Sequence, residues 1–180
     1  MRYPLESLYT LLSTLLKMMC LKLGLILLLF FSASVFSTEV GQLVPDCPVM
    51  TSMTSQPVKL SDYQGKVLLI DFWATWCPPC EQSMPFLNRL RNEFKDKDFE
   101  IVAINVDDDT EETKRFLDTH VVDYPILLDP KAQCPPLFKV KAMPSSYFVD
   151  RTGKIRAIHL GYRESDQVEI RKHVLELLGE

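Results

Sequence analysis

A strand pattern followed at once by two cysteines constrains this 180-residue chain more than any other feature. Residues 67–80 read VLLIDFWATWCPPC. The first seven are apolar except for one aspartate, which predicts a strand covered on both faces. Pro78 and Pro79 suit the first turn of a helix, where a missing backbone N–H is not needed. The sequence therefore predicts a strand, a tight turn and a helix that begins beside Cys77 and Cys80.

The rest of the chain alternates between strand and helix patterns. Residues 39–66 are turn-rich and predict one or two short strands. The later predicted elements are a helix over 78–95 kinked at Pro85, a strand over 99–106, a helix over 110–120, a short apolar stretch over 126–128, a helical turn over 131–138, a strand over 145–150, its hairpin partner over 154–160 and a closing helix over 166–178. This order predicts an α/β fold in which a mixed sheet carries helices on both faces.

Composition narrows the class of protein. Hydrophobic residues make up 47% of the chain, enough for a packed core. The net charge of -4 argues against a nucleic-acid-binding protein, which usually carries a basic patch.

The N-terminus predicts export. Residues 23–38 carry no charge, and Lys17 and Lys22 precede them. A basic stretch, an apolar core and then small residues are typical of a signal peptide, here cut after Ser37. The alternative is an uncleaved anchor, although the uncharged run is shorter than the ~20 residues that span a bilayer. Both readings divide the chain into an export segment, residues 1–37, and a domain at 38–180 outside the cytoplasm, periplasmic in a bacterium with two membranes.

The spacing of Cys77 and Cys80 allows three kinds of site. A zinc site needs about four ligands, and the histidines of this chain are scattered, so we expect no metal. A disulfide across so short a loop removes little chain entropy and would add little stability. A working redox pair fits best, because the helix N-terminus favours a thiolate at Cys77. Cys77 is then expected to attack a partner disulfide, and Cys80 to resolve the mixed disulfide.

These residues resemble the active-site segment of the thioredoxin superfamily. An uncharged leader, PDCPVM near position 45 and NVDDD after the second strand make the chain most similar to TlpA/ResA-like exported thiol-disulfide oxidoreductases. The resemblance covers roughly residues 41–178 and implies a thioredoxin-like fold. It also implies a protein-disulfide oxidoreductase that needs no cofactor besides its own redox-active disulfide. Implied partners are protein thiols and disulfides, with a membrane electron donor of the DsbD/CcdA type and cytochrome c biogenesis among the candidate roles.

The resemblance also suggests supporting residues. Pro144, with Met143 before it, matches a proline that has a cis peptide bond and binds the substrate chain; the alternative is an ordinary trans turn. Trp76 is expected to line the partner groove. Asp71 matches an acid that exchanges a proton with the second cysteine, unless it is only a hydrogen-bonded core residue. Asp108, or its neighbour Asp107, is the nearest match to a second acid, unless the run is a solvated loop.

Cys47 and Cys134 lie outside the motif. They could form a second, structural disulfide, remain as free buried thiols, or exchange with Cys77. The sequence alone leaves all three possibilities open.

The residues between the active-site cysteines favour reduction. Strong oxidants such as DsbA have a histidine there, and this chain has none. Pro78 and Pro79 cannot donate hydrogen bonds to the Cys77 sulfur, which leaves the Cys80 N–H as the main donor. A less stabilised thiolate favours the disulfide, so the dithiol is expected to be a good reductant.

Two rival functions belong to other classes. A copper or thiol chaperone could use both cysteines as soft ligands, although no histidine or Met-rich loop lies nearby. A thiol peroxidase of this superfamily would need a threonine three residues before the attacking cysteine, where this chain has Ala74.

Overall fold

The computed structural model describes residues 40–48 and 50–179. The predicted signal peptide or anchor, residues 1–37, lies outside the described residues, and so its cleavage and the domain boundary stay predictions. Within the part that is described, no helix combines the length and the apolar character needed to cross a membrane.

A mixed sheet forms the centre of the fold. In the described residues it has seven strands in the order β2-β1-β5-β4-β3-β6-β7. Strands β3, β4 and β5 are parallel, while β6 runs antiparallel to β3 and β7 antiparallel to β6. The strands are β1 (Met50–Ser52), β2 (Pro57–Val58), β3 (Val67–Trp73), β4 (Phe99–Asn105), β5 (Ile126–Leu128), β6 (Ser145–Val149) and β7 (Ile155–Leu160).

Four α-helices cover the sheet in the described residues: α1 (Pro78–Phe94), α2 (Thr110–Thr119), α3 (Cys134–Phe138) and α4 (Gln167–Leu178). Side chains of α1, α2 and α4 pack on one face, together with Val67, Leu69 and Trp73 of β3. The short helix α3 and the N-terminal arm, residues 40–48, pack on the other face.

Alternation along β3 decides which side chain meets which helix. Leu68, Ile70 and Phe72 face α3, whereas the intervening residues face α1. All seven β3 residues are buried, as the apolar run predicts. Asp71 therefore points toward the same side of the sheet as α1, the helix that carries Cys80.

The predicted fold class is confirmed: the chain has a thioredoxin-like mixed sheet with helices on both faces. The turn-rich N-terminal region contains the two short strands β1 and β2, and the apolar stretch at 126–128 is the strand β5. The helical turn predicted over 131–138 is shorter, because Asp129 accepts the backbone N–H groups of Gln133 and Cys134 and the helix starts only at Cys134. Helix α1 runs through Pro85 without interruption.

Candidate active site

Cys77 and Cys80 lie where β3 passes into α1. The Cys77 N–H donates to Ala74 O at 3.2 Å and closes the turn. Cys77 is the N-cap of α1 with extended backbone angles, and the two prolines occupy the first helical positions. This places Cys80 one turn above Cys77, with their Cα atoms 5.3 Å apart and their sulfurs joined in a disulfide of 2.06 Å.

The surroundings of the Cys77 sulfur are sparse in donors. The Cys80 N–H lies 3.3 Å from Cys77 Sγ and also donates to the Cys77 carbonyl at 3.0 Å. Pro78 and Pro79 have no N–H to offer. Cys77 is 4% exposed and Cys80 1%, whereas the neighbouring Trp76 is 67% exposed. The disulfide is therefore almost covered, while the Trp76 side chain directly before it in the chain is open to solvent.

Asp71 is buried in the middle of β3. Ser146, its direct partner on β6, donates from Oγ to Asp71 Oδ1 at 2.6 Å. Burial raises the pKa of Asp71 to about 7, and the Ser146 hydrogen bond offsets part of that effect. A carboxyl group that ionises near neutral pH, on the face that carries α1, has the properties of a proton donor and acceptor.

The three successive aspartates after β4 have three different environments. Asp107 is buried, and its Oδ2 accepts the Thr75 N–H at 2.9 Å. Asp108 is exposed. Asp109 caps α2 by accepting the N–H groups of Glu111 and Glu112. The predicted role of Asp108 in proton transfer stays a prediction, while Asp107 is the aspartate of the three that bonds to the loop before Cys77.

The peptide bond between Met143 and Pro144 is cis. Pro144 is buried just before β6, and its carbonyl accepts the Gly161 N–H at 2.8 Å. Ser145 Oγ donates to Ala142 O at 2.7 Å and holds the same turn. Because β6 pairs with β3, this turn lies beside the end of β3 that leads to Cys77.

A second disulfide joins Cys47 to Cys134, 87 residues apart. Both cysteines are buried in the core on the α3 face of the sheet, whereas Cys77 and Cys80 belong to the core on the α1 face. Of the three possibilities that the sequence leaves open, the structure contains the bonded pair.

Three site contacts were not anticipated from the sequence. Ser146 bonds Asp71, Asp107 bonds the Thr75 N–H, and His120 Nε2 lies 2.9 Å from Glu81 Oε1 beside the first turn of α1. The first two depend on strand register, which a single sequence does not specify.

The N-cap rule could have assigned Asp109 to the start of α2 and so reduced the aspartate run to two candidates. In the described residues, no group of three or more His, Cys, Asp or Glu side chains is arranged to hold a metal ion.

Comparison with known proteins agrees with this geometry. The family model described as Redoxin matches residues 39–175. The thiol-disulfide oxidoreductase ResA of Geobacillus kaustophilus is 32% identical over 133 residues, which cover 74% of this chain and 76% of that protein. The ResA of Bacillus cereus is 29% identical over 151 residues, covering 84% and 87% of the two chains.

A solved structure is similar in both sequence and shape. It is the crystal structure of a Chlorobium tepidum protein provisionally named thiol:disulfide interchange protein DsbE. The sequence identity is 39% and the TM-score 0.76, and the match covers 78% of this chain and 99% of that one.

Proposed function

The chain belongs to the Redoxin family, as a ResA-like thiol-disulfide oxidoreductase of the thioredoxin superfamily, and from this premise we propose that it is an exported reductant of protein disulfides. The observation that carries the reductant role is the hydrogen bonding of Cys77 Sγ. The first turn of α1 begins with two prolines, which have no N–H. The Cys80 N–H, 3.3 Å away, is the hydrogen-bond donor to this sulfur. With few donors the Cys77 thiolate gains little stability, so the pair releases electrons readily and returns to the disulfide.

The reaction proceeds in two exchanges. The Cys77 thiolate attacks one sulfur of a partner disulfide, and the other partner sulfur leaves as a thiolate that takes a proton. The Cys80 thiol then loses its proton and attacks Cys77 Sγ, which releases the second partner sulfur. The partner disulfide gains two electrons and two protons, and the Cys77–Cys80 dithiol becomes a disulfide.

Asp71 supports the second exchange in this proposal. Its side chain points to the α1 side of the sheet, where Cys80 is buried, and its pKa is raised to about 7 by burial. A carboxylate near its pKa can accept the Cys80 proton and release it again at neutral pH. Ser146, which donates to Asp71 Oδ1, keeps the carboxyl group oriented.

The partner polypeptide docks beside the cis peptide bond. In this proposal an incoming chain binds the backbone of Pro144, with Met143 as its neighbour; the Pro144 carbonyl also accepts the Gly161 N–H, which holds the turn against the end of β7. Trp76, the residue before Cys77, is 67% exposed and contributes apolar area to the same docking surface in this proposal. An extended segment of the partner can therefore add to this turn as a short strand, with its cysteine beside Cys77.

The proposal includes export of the protein and a separate source of electrons for the Cys77–Cys80 pair. The buried Cys47–Cys134 disulfide supports an oxidising compartment, where structural disulfides form and persist. Residues 23–38, uncharged and preceded by Lys22, supply the signal or anchor in this proposal. A reductant in such a compartment needs a donor of electrons, and a membrane dithiol carrier of the DsbD/CcdA type matches that need.

Trapping tests the assignment of the two cysteines. Cys80→Ser is expected to accumulate mixed disulfides between Cys77 and its partners, because the resolving thiol is absent. Cys77→Ser is the matched control and should trap few partners, although Cys80 remains. Non-reducing gels and mass spectrometry of the trapped species supply the readout. Equal trapping by the two variants would contradict the attacking role of Cys77 and the resolving role of Cys80.

A further inference from the structure

A hydrogen bond between two separate segments holds the loop that leads to Cys77. The Thr75 N–H donates to Asp107 Oδ2 at 2.9 Å, across 32 residues of sequence. The two segments are neighbours because β3 and β4 are parallel and end side by side, and the Val106 N–H also donates to Trp73 O at 3.1 Å. Asp107 therefore binds the backbone of the turn that the hydrogen bond between the Cys77 N–H and Ala74 O closes.

The carboxylate of Asp107 is itself held in place. Its Oδ2 also accepts from Asn105 Nδ2 at 2.7 Å and from Thr113 Oγ1 at 3.3 Å. The Asp107 backbone N–H donates to Asn105 Oδ1 at 3.2 Å, so the Asn105 side chain binds both the backbone and the carboxylate of Asp107. Asn105 and Thr113 have no exposed surface, and they come from β4 and α2 respectively. These contacts hold the Asp107 carboxylate against the loop that precedes Cys77.

Among the described residues, no charged group is a hydrogen-bond donor to Asp107, so the hydrogen bonds stabilise its carboxylate without cancelling the negative charge. The three donors to Oδ2 are a backbone amide, a side-chain amide and a hydroxyl, and all are neutral. The second oxygen, Oδ1, is buried and has no hydrogen-bond partner. Asp107 is only 4% exposed, so water screens the charge weakly. A negative charge here repels a negative charge that forms on the loop leading to Cys77.

Cys77, two residues beyond Thr75, is where such a charge forms. A nearby carboxylate disfavours a thiolate at the same site, whereas the disulfide carries no charge and is unaffected. We propose that Asp107 is a positioning residue: its carboxylate holds the loop that carries Cys77, and its negative charge disfavours the Cys77 thiolate relative to the disulfide. This inference rests on the proposed function, because it supplies a second reason, besides the two prolines, for a reducing pair.

Two substitutions separate the hydrogen bond from the charge. Asp107→Asn keeps a side-chain oxygen that can accept the Thr75 N–H but removes the charge, and Asp107→Ala removes both. Glu112→Gln is the matched control, since it removes a carboxylate from an exposed position in the first turn of α2. The full chain is used in each case, and thermal unfolding checks that every variant folds.

The first measurement follows the charge. One sample of each reduced protein is alkylated with iodoacetamide across a range of pH to obtain the pKa of the Cys77 thiol. A separate, unalkylated sample is equilibrated with glutathione to obtain the ratio of dithiol to disulfide. Asp107→Asn should lower this pKa and shift the glutathione equilibrium about threefold to tenfold toward the dithiol. Glu112→Gln should change the glutathione equilibrium by less than about twofold. Equal shifts in Asp107→Asn and Glu112→Gln would overturn the electrostatic half of the proposal.

The second measurement follows the hydrogen bond. Hydrogen exchange of the Thr75 amide should accelerate about tenfold or more in Asp107→Ala and stay close to the unsubstituted rate in Asp107→Asn. An unchanged Thr75 rate in Asp107→Ala would overturn the positioning half. Both measurements compare variants with the unsubstituted chain. They therefore remain decisive even if that chain is an oxidant, an outcome that would refute the proposed function alone.

Discussion

Replacing Asp71 by asparagine tests the buried acid through the stability of the oxidised protein. Its pKa is raised from an ordinary 3.8 to about 7, because burial disfavours the charged form. The difference corresponds to about 4 kcal/mol, at about 1.4 kcal/mol for each tenfold change in the ionisation constant. Asp71 is fully buried, so solvent screening reduces this figure little.

The sign of the pH dependence follows from linkage. Well below its ordinary pKa of 3.8, Asp71 is protonated in both the folded and the unfolded chain, so its ionisation costs no stability. As the pH rises to about 7, the unfolded chain releases the proton while the folded chain retains it, so the free energy of unfolding falls. Above about pH 7 the loss is complete and constant. Asp71→Asn lacks this loss and should gain stability relative to the unsubstituted protein over the same interval.

Urea unfolding of both oxidised proteins between about pH 4 and pH 8 measures the effect. The free energy of unfolding of Asp71→Asn, relative to the unsubstituted chain, should rise by about 4 kcal/mol across that range. A constant cost from the asparagine amide, which must find its own acceptor, cancels when the two ends of the range are compared. Glu112→Gln, at an exposed site, is the control. A rise below about 1 kcal/mol would refute the assignment of a buried, pKa-shifted acid at Asp71.

Three further predictions concern the disulfides and the partner surface. Pro79→Ala restores a backbone N–H in the first turn of α1, so the pKa of the Cys77 thiol should fall and the glutathione equilibrium should shift about threefold or more toward the dithiol; no shift would contradict the role assigned to the prolines. Replacing Cys47 and Cys134 together by serine should lower the free energy of unfolding by about 4–5 kcal/mol in urea, the chain-entropy value for a loop of this length, and leave the active-site potential unchanged. Trp76→Ala should raise KM for a protein disulfide but leave the rate with glutathione disulfide unchanged, because the exposed Trp76 belongs to the docking surface proposed for a large partner; equal losses with both substrates would contradict this role.

The strand-turn-helix at the active site could be predicted because its signals are local. An apolar run, two prolines at a helix start and the spacing of Cys77 and Cys80 each constrain only a few neighbouring residues. The alternation of β3 likewise follows from the sequence once its strand character is known. The order of strands and helices, also read locally, was enough to predict the class of fold.

Contacts between distant segments could not be predicted in the same way. The partners of Asp71 and Asp107 depend on how β3 pairs with β6 and where β4 ends, and register is a property of the whole sheet. The aspartate run illustrates the limit, because three identical side chains occupy buried, exposed and capping positions. Pairing of Cys47 with Cys134 likewise requires the arm and α3 to meet on one face, which no local pattern specifies.

The reduction potential of the Cys77–Cys80 pair tests the central claim most directly. Equilibration of the purified full chain with glutathione, and with thioredoxin as a second reference, gives the potential from the fraction of dithiol at equilibrium. A value near that of thioredoxin, about −270 mV, is expected if the sparse donors to Cys77 Sγ make the pair a reductant. A value near that of DsbA, about −120 mV, would contradict the reductant role proposed for this protein.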